Sequence, residues 1–119
     1  MPVEDPLVID LLAREPDGRF LLVMVEPRPW DGSDARLAQL QDKVNAYLAY
    51  ALDGQLAREY PEASGAGLTL LLRCIEPPDA MVRGLIPPLR DALRPLDVHF
   101  EVQVEGERER WRDPDELPR

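Results

Sequence analysis

Apolar residues recur along this chain with two different periods, and the order in which the periods alternate outlines a small mixed domain. Leu7, Ile9, Leu11 and Ala13 fall at every second position, with Val8, Asp10 and Leu12 between them, so residues 7–13 read as a strand. Glu15-Pro16-Asp17-Gly18 then sets a turn, because proline fixes the φ that opens it and glycine accepts the positive φ that closes it. Phe20 to Val25 is apolar on both faces, which suits a strand covered on both sides. Pro27 and Pro29 cannot donate to a ladder and end that strand. Ser33 or Asp34 is placed to cap a helix with its side-chain oxygen. Leu37, Leu40, Val44, Tyr47, Leu48, Ala51 and Leu52 follow at helical spacing, marking one buried face. Gly54 supplies the left-handed residue that helix ends favour, and Gln55 to Tyr60 adds a short turn that Pro61 stops.

Beyond the loop Ser64-Gly65-Ala66-Gly67, Leu68 to Ile75 is again apolar on both faces and reads as a central strand. Pro77-Pro78-Asp79 breaks the chain and starts a second helix along the stripe Met81, Leu85, Leu89, Leu93 and Leu96. Pro87 and Pro88 lie in the middle of that stripe. An interior proline removes a hydrogen bond, clashes one turn back and costs about 3 kcal/mol, so two helical pieces are expected, the second starting at Pro87 or Pro88. Val98 to Glu105 alternates cleanly, with Val98, Phe100, Val102 and Val104 on one side and His99, Glu101, Gln103 and Glu105 on the other. The order β-β-α-β-α-β predicts an α+β two-layer sandwich, a four-stranded sheet with its helices on one face, and right-handed crossovers where parallel strands are joined. Residues 1–105 make one domain on this reading. Residues 106–119 are mostly charged or proline around Trp111, and a mobile tail is expected unless that tryptophan anchors it.

Composition narrows the partners. A chain of 119 residues supports one core. Its 23 acids against 14 bases give a net charge of −9, which repels a phosphate backbone, and no basic cluster offsets it, so no nucleic acid partner is expected. Acidity serves solubility and would also suit a protein that caps a basic partner. No apolar stretch approaches the roughly 18 residues of a membrane span, and Met-Pro-Val-Glu-Asp-Pro lacks the basic start of a secretory signal. One cysteine allows no intrachain disulfide, which points to the reducing cytoplasm.

The long helix carries a pattern of its own. Trp30-Asp31 precedes Leu37-x-x-Leu40-Gln41-x-Lys43-Val44-Asn45-x-Tyr47-Leu48, followed by Gly54, Tyr60-Pro61 and Gly67, with Val8-Ile9-Asp10 upstream. Over residues 7 to 105 this resembles a small bacterial family known only as a domain of unknown function. The resemblance implies a fold and no activity. This chain departs from the family pattern at Pro87-Pro88, where a plain helix is expected, and in its longer charged tail.

Candidate chemistry is sparse. The chain has two serines, one threonine, one cysteine and one histidine, none in a nucleophile motif, so no catalytic residue is assigned. Cys74 on an apolar strand reads as buried and inert, and His99 as exposed. One His and one Cys do not make a zinc site, and Asp31-Gly-Ser-Asp34 lacks calcium-loop spacing and reads as helix capping. Gly65-Ala-Gly67 precedes a strand, whereas phosphate loops open a helix. No metal or cofactor is expected. Lys43 and Tyr47 share a helix edge at i, i+4 near Trp30 and Tyr50, where a small anion or carbonyl could bind; the plainer reading lays the lysine stem on the apolar boundary with its charge in water.

The stronger inference concerns the second face of the sheet. If the helices cover Leu7, Ile9, Leu68, Leu70, Leu72, Phe100 and Val102, the other side carries Val8, Asp10, Leu12, Thr69, Leu71, Arg73, Ile75, His99 and Glu101, joined by one set from Leu21, Val23 and Val25. Such an apolar patch ringed by charge marks an interaction surface, with Asp10, Leu12, Leu71, Arg73, His99 and Glu101 as the partner face. The expected function is binding without catalysis, as a homodimer or with a protein partner. A small acidic inhibitor or immunity-type protein covering a basic partner is the alternative. An enzyme using Asp10, Arg73, His99 and Glu101 is a third reading, and it requires a concave pocket where those groups converge.

Overall fold

A computed structural model describes residues 11–63 and 65–112, without the side chains of Leu11, Leu12 and Ala63. Four strands, β1 (Leu11–Arg14), β2 (Phe20–Glu26), β3 (Leu68–Cys74) and β4 (Val98–Val104), form one sheet in that order. β1 and β2 make the expected antiparallel hairpin, while β2, β3 and β4 run parallel. The parallel strands are joined by α1 (Asp34–Leu52) with the short α2 (Gln55–Glu59), and by α3 (Ala80–Leu93). The helices pack on one side, so the predicted α+β sandwich is the observed architecture. Residues 7–10 of the first predicted strand lie outside the described residues.

The register explains the core. Leu22, Leu70 and Phe100 stand side by side, as do Met24, Leu72 and Val102, and none is more than 2% exposed. Leu40, Val44 and Tyr47 of α1 and Val82, Ile86 and Leu93 of α3 close over these rows. Both helices begin on side-chain caps: the Arg36 N–H donates to Ser33 Oγ at 3.1 Å, and the Val82 N–H to Asp79 Oδ1 at 3.0 Å. Gly54, at φ 95°, takes the left-handed position after α1 that its sequence context predicts.

α3 departs from expectation. It runs unbroken from Ala80 to Leu93 with Pro87 and Pro88 inside it. The two prolines are exposed, whereas Val82, Ile86 and Leu93 face the sheet. The carbonyls of Arg83 and Gly84, which lose their i+4 donors, therefore lie on the wet side. Packing of the apolar stripe carries the helix through two positions where intrinsic preference would end it.

Two further devices bind the ends of the sheet. Arg19 crosses above Gly67, where a Cβ would lie 2.2 Å from its Nη1, and donates to Thr69 Oγ1 at 3.4 Å, Asp97 Oδ1 at 3.1 Å and the Asp97 carbonyl at 2.9 Å. The clamp holds Asp97 at φ 56°, a left-handed conformation unusual outside glycine. At the other end the chain turns on Gly106 and runs back along the outer edge of β4. The Glu107 N–H donates to the Val104 carbonyl at 3.0 Å and the Trp111 N–H to the Val102 carbonyl at 2.7 Å, while Arg90 Nε takes the Phe100 carbonyl at 3.0 Å. Trp111 is 9% exposed and belongs to the core. The segment from Gly106 to Arg112, whose composition suggested mobility unless this tryptophan anchored it, is thus a strap tied to β4 at both of its ends.

Trp111→Ala should cost about 3 kcal/mol in urea unfolding, the scale of a large aromatic removed from a core, and truncation after Glu105 at least as much. A loss below about 1 kcal/mol for both would mean that the strap adds nothing to the fold.

Candidate binding face and cleft

The side of the sheet away from the helices carries three rows: Leu21, Thr69 and His99; Val23, Leu71 and Glu101; Val25, Arg73 and Gln103. Without a helix above them, Val23, Thr69 and Leu71 are still only 0%, 2% and 3% exposed. Arg19 accounts for part of this cover through its bond to Thr69. The apolar surface left accessible is smaller than the sequence suggested: Leu21 and Val25 are half-buried, and Ile75, just past β3, is exposed.

These residues floor a cleft of about 720 Å³ whose far wall is the strap. Leu21, Val25, Leu71 and Ile75 provide the apolar surface, and Arg73, Gln103, Glu105, Glu107, Arg108 and Arg110 the polar one. The Gln103 amide fixes the wall by donating to the carbonyls of Glu107 and Glu109. Arg110 reaches to the β1–β2 turn, its Nη2 3.9 Å from Glu15 Oε2, while Arg110 Nη1 and Glu15 Oε1 are buried without hydrogen-bond partners. Arg73 and Arg108 make no side-chain hydrogen bond or ion pair among the described residues.

The predicted face does not stay together. Leu71 and Arg73 line the cleft, but His99 and Glu101 line a separate hollow of about 300 Å³ at the β4 edge, with Arg90 and Arg94. Arg90 Nη2 lies 3.7 Å from Glu101 Oε2, engaging that carboxylate at the sheet edge. Leu12 pairs with Leu22, which places it in register with the helix-side row and not with Leu71. Asp10 lies outside the described residues.

The predicted helix-edge group also separates. Lys43 is fully buried, its Nζ 5.4 Å from the Tyr47 ring centroid, and the Tyr47 hydroxyl donates to the Val23 carbonyl at 3.2 Å. The reading that kept the Lys43 charge in water is corrected: position 43 falls in the inward stripe between Leu40 and Tyr47, a spacing visible in the sequence but outweighed by the residue type. Trp30 is occupied elsewhere, its Nε1 donating to the Glu76 carbonyl at 3.1 Å and its N–H to Glu76 Oε1 at 3.0 Å. The Tyr50 hydroxyl donates to Glu59 at 2.6 Å; burial, and then that carboxylate, push the phenol pKa up.

Glu26 was the residue sequence reasoning missed. It ends β2 on the helix side, fully buried, and binds Arg28 through Nε at 2.7 Å and Nη2 at 3.0 Å, with Arg36 Nη1 at 4.0 Å. Arg28 Nη2 also donates to Gln39 Oε1 at 3.1 Å, so the pair fixes the loop between β2 and α1. Within that loop the Ser33 hydroxyl and N–H hold the Asp31 carboxyl below its ordinary range. Cys74 lies in the same row as Glu26, and burial, despite the opposing contact with Trp30, pushes its thiol up to about 12. Among the described residues no three His, Cys, Asp or Glu side chains are grouped to hold a metal ion, and no helix is long and apolar enough to cross a membrane.

Glu26→Ala removes a fully buried carboxylate and leaves Arg28, a third exposed, to find water, and should destabilise the fold by about 2 kcal/mol in urea; an unchanged midpoint would show that water replaces the pair at no cost. Cys74 should react with a disulfide reagent at pH 8 about a thousandfold more slowly in the folded chain than in denaturant, since only thiolate reacts. Equal rates would place the thiol at the surface.

Searches of curated proteins and of solved structures return no match. A family model matches residues 1–106, a span that ends at the glycine turning the chain into the strap. The chain belongs to that family, described as a family of unknown function (DUF6572).

Proposed function

We propose that this chain works by binding, through the open face of its sheet, and that a second copy of the chain is the first partner it engages. The observation that carries this reading is the cleft, where half-buried Leu21 and Val25 and exposed Ile75 lie beside cationic side chains that the fold leaves unused. Association by strand addition at β4 is blocked, because its outward carbonyls at Phe100, Val102 and Val104 are already bonded within the chain. Contact face to face is the route left on that side. The catalytic alternative loses support from the separation of Arg73 from His99 and Glu101, and from a thiol that burial keeps protonated. A buried, reduced cysteine is in keeping with the cytoplasm. The second reading, an acidic protein covering a basic partner, draws on the net charge of −9.

Light scattering after size exclusion, at two concentrations, tests self-association. The full chain should shift toward dimer as concentration rises, and Ile75→Glu should stay monomeric with an unchanged unfolding midpoint. Ile75 is the right probe, being 38% exposed where Leu71 is 3% exposed and a charge would disrupt the core. A monomer at both concentrations, indifferent to Ile75→Glu, would discard self-association and turn the search to a basic protein partner.

A further inference from the structure

Building on the reading that the open face is a binding surface, we infer that its cleft is a carboxylate site, seating an apolar body on Leu21, Val25 and Ile75 and a single carboxylate on Arg73 and Arg108.

The pairing of the arginines is the first support. Arg73, Arg108 and Arg110 face Glu105 and Glu107 in the cleft, and Glu26 at its margin is neutralised by Arg28. With Glu26 set against Arg28 and Arg110 against Glu15, Arg73 and Arg108 stand against Glu105 and Glu107, so the cleft is balanced in charge within a chain of net charge −9. Acids are plentiful here, and Arg19, Arg28, Arg36, Arg90 and Arg94 each sit within ion-pair distance of one. Arg73 and Arg108 do not, and an apolar floor beside them distinguishes them from unpaired arginines on plain surface. Arg110 is already directed to Glu15 and serves as wall.

The second support is geometry. The guanidinium fork matches a carboxylate with two parallel N–H donors, a fit that an amide of the same shape cannot reproduce. Arg73 stands on a central strand, and Arg108 on a segment tied down at Glu107 and Trp111, so both cations are carried on fixed backbone. Preorganisation of this kind lowers the entropic cost of binding. A volume of about 720 Å³ is in the range of clefts that take a drug-sized molecule, enough for the last few residues of a peptide and more than a small organic acid fills. The overall negative field argues against polyanions such as nucleic acid, leaving one carboxylate as the charge the cleft can hold. The wall bearing Arg108 lies beyond the residues matched to the family.

The test is an amide-resolved NMR titration of the full chain with four probes: N-acetyl-leucine, N-acetyl-leucinamide, and a hexapeptide ending in Leu-Leu as its free acid and as its C-terminal amide. At least one acid should shift Leu21, Leu71 and Gln103 and bind at least tenfold more tightly than its amide. Arg73→Gln with Arg108→Gln should reduce that acid to the affinity of its amide while leaving the spectrum folded. Preference for the peptide acid would identify a protein C-terminus as the source, and preference for acetyl-leucine a small organic acid. Equal binding of acid and amide, shifts centred elsewhere, or no binding at millimolar concentration would overturn the site. Self-association is read separately: a chain that dimerises but treats acid and amide alike loses the carboxylate site and keeps the dimer, and a strict monomer that selects the acid loses the dimer and keeps the site.

Discussion

Parallel pairing of β2, β3 and β4 is the constraint from which the rest of this structure follows. Parallel neighbours need crossovers, and here both crossovers put their helices on one side of the sheet. Alternate residues of the central strands then face away from the helices, and in β2 and β3 those residues are Leu21, Val23, Val25, Thr69, Leu71 and Arg73, of which the aliphatic ones are poorly served by water. Among the described residues, Arg19 bonded to Thr69 and the strap beside Gln103 supply cover on that side, where no helix lies.

Arginine does much of that holding. Arg19 joins β2, β3 and the turn before β4; Arg28 and Arg36 gather on the buried Glu26 at the far end of β2; Arg90 closes part of the β4 edge. A planar guanidinium with five donors satisfies several carbonyls or carboxylate oxygens at once, which a lysine ammonium on a flexible stem does less well. The one lysine is instead enclosed beside an aromatic ring. Its position and that of Glu26 show that this small interior encloses ionisable side chains, with the Glu26 carboxylate oxygens met by direct bonds from Arg28.

The candidate site follows from the same constraint. Because the strap runs along the β4 edge and its Gln103-bonded turn stands beside the open face, it converts a flat sheet end into a concave one. The hollow containing His99 and Glu101 lies at the edge that Arg90 covers, so residues that alternate on one strand face end in two different environments. Alternation assigns a side to each residue. It does not say whether a neighbouring element has closed that side.

What the sequence determined by itself is what local physics can read. Period-two and period-3.6 patterns placed the strands and α1, Ser33 and Gly54 marked its limits, and strands apolar on both faces announced a central position. The sequence also assigned the odd-numbered residues of β3 and β4, among them Leu71 and Arg73, to the side of the sheet away from the helices. Tertiary structure decided what depends on residues far apart in the chain. Hairpin register moved Leu12 into the other row, packing carried α3 through Pro87 and Pro88, the inward stripe enclosed Lys43, and Trp111 docked the strap that builds the cleft. Each of these outcomes balances a local preference worth a few kcal/mol against contacts that exist only once the sheet has formed, and no window of neighbouring residues contains both sides of that balance.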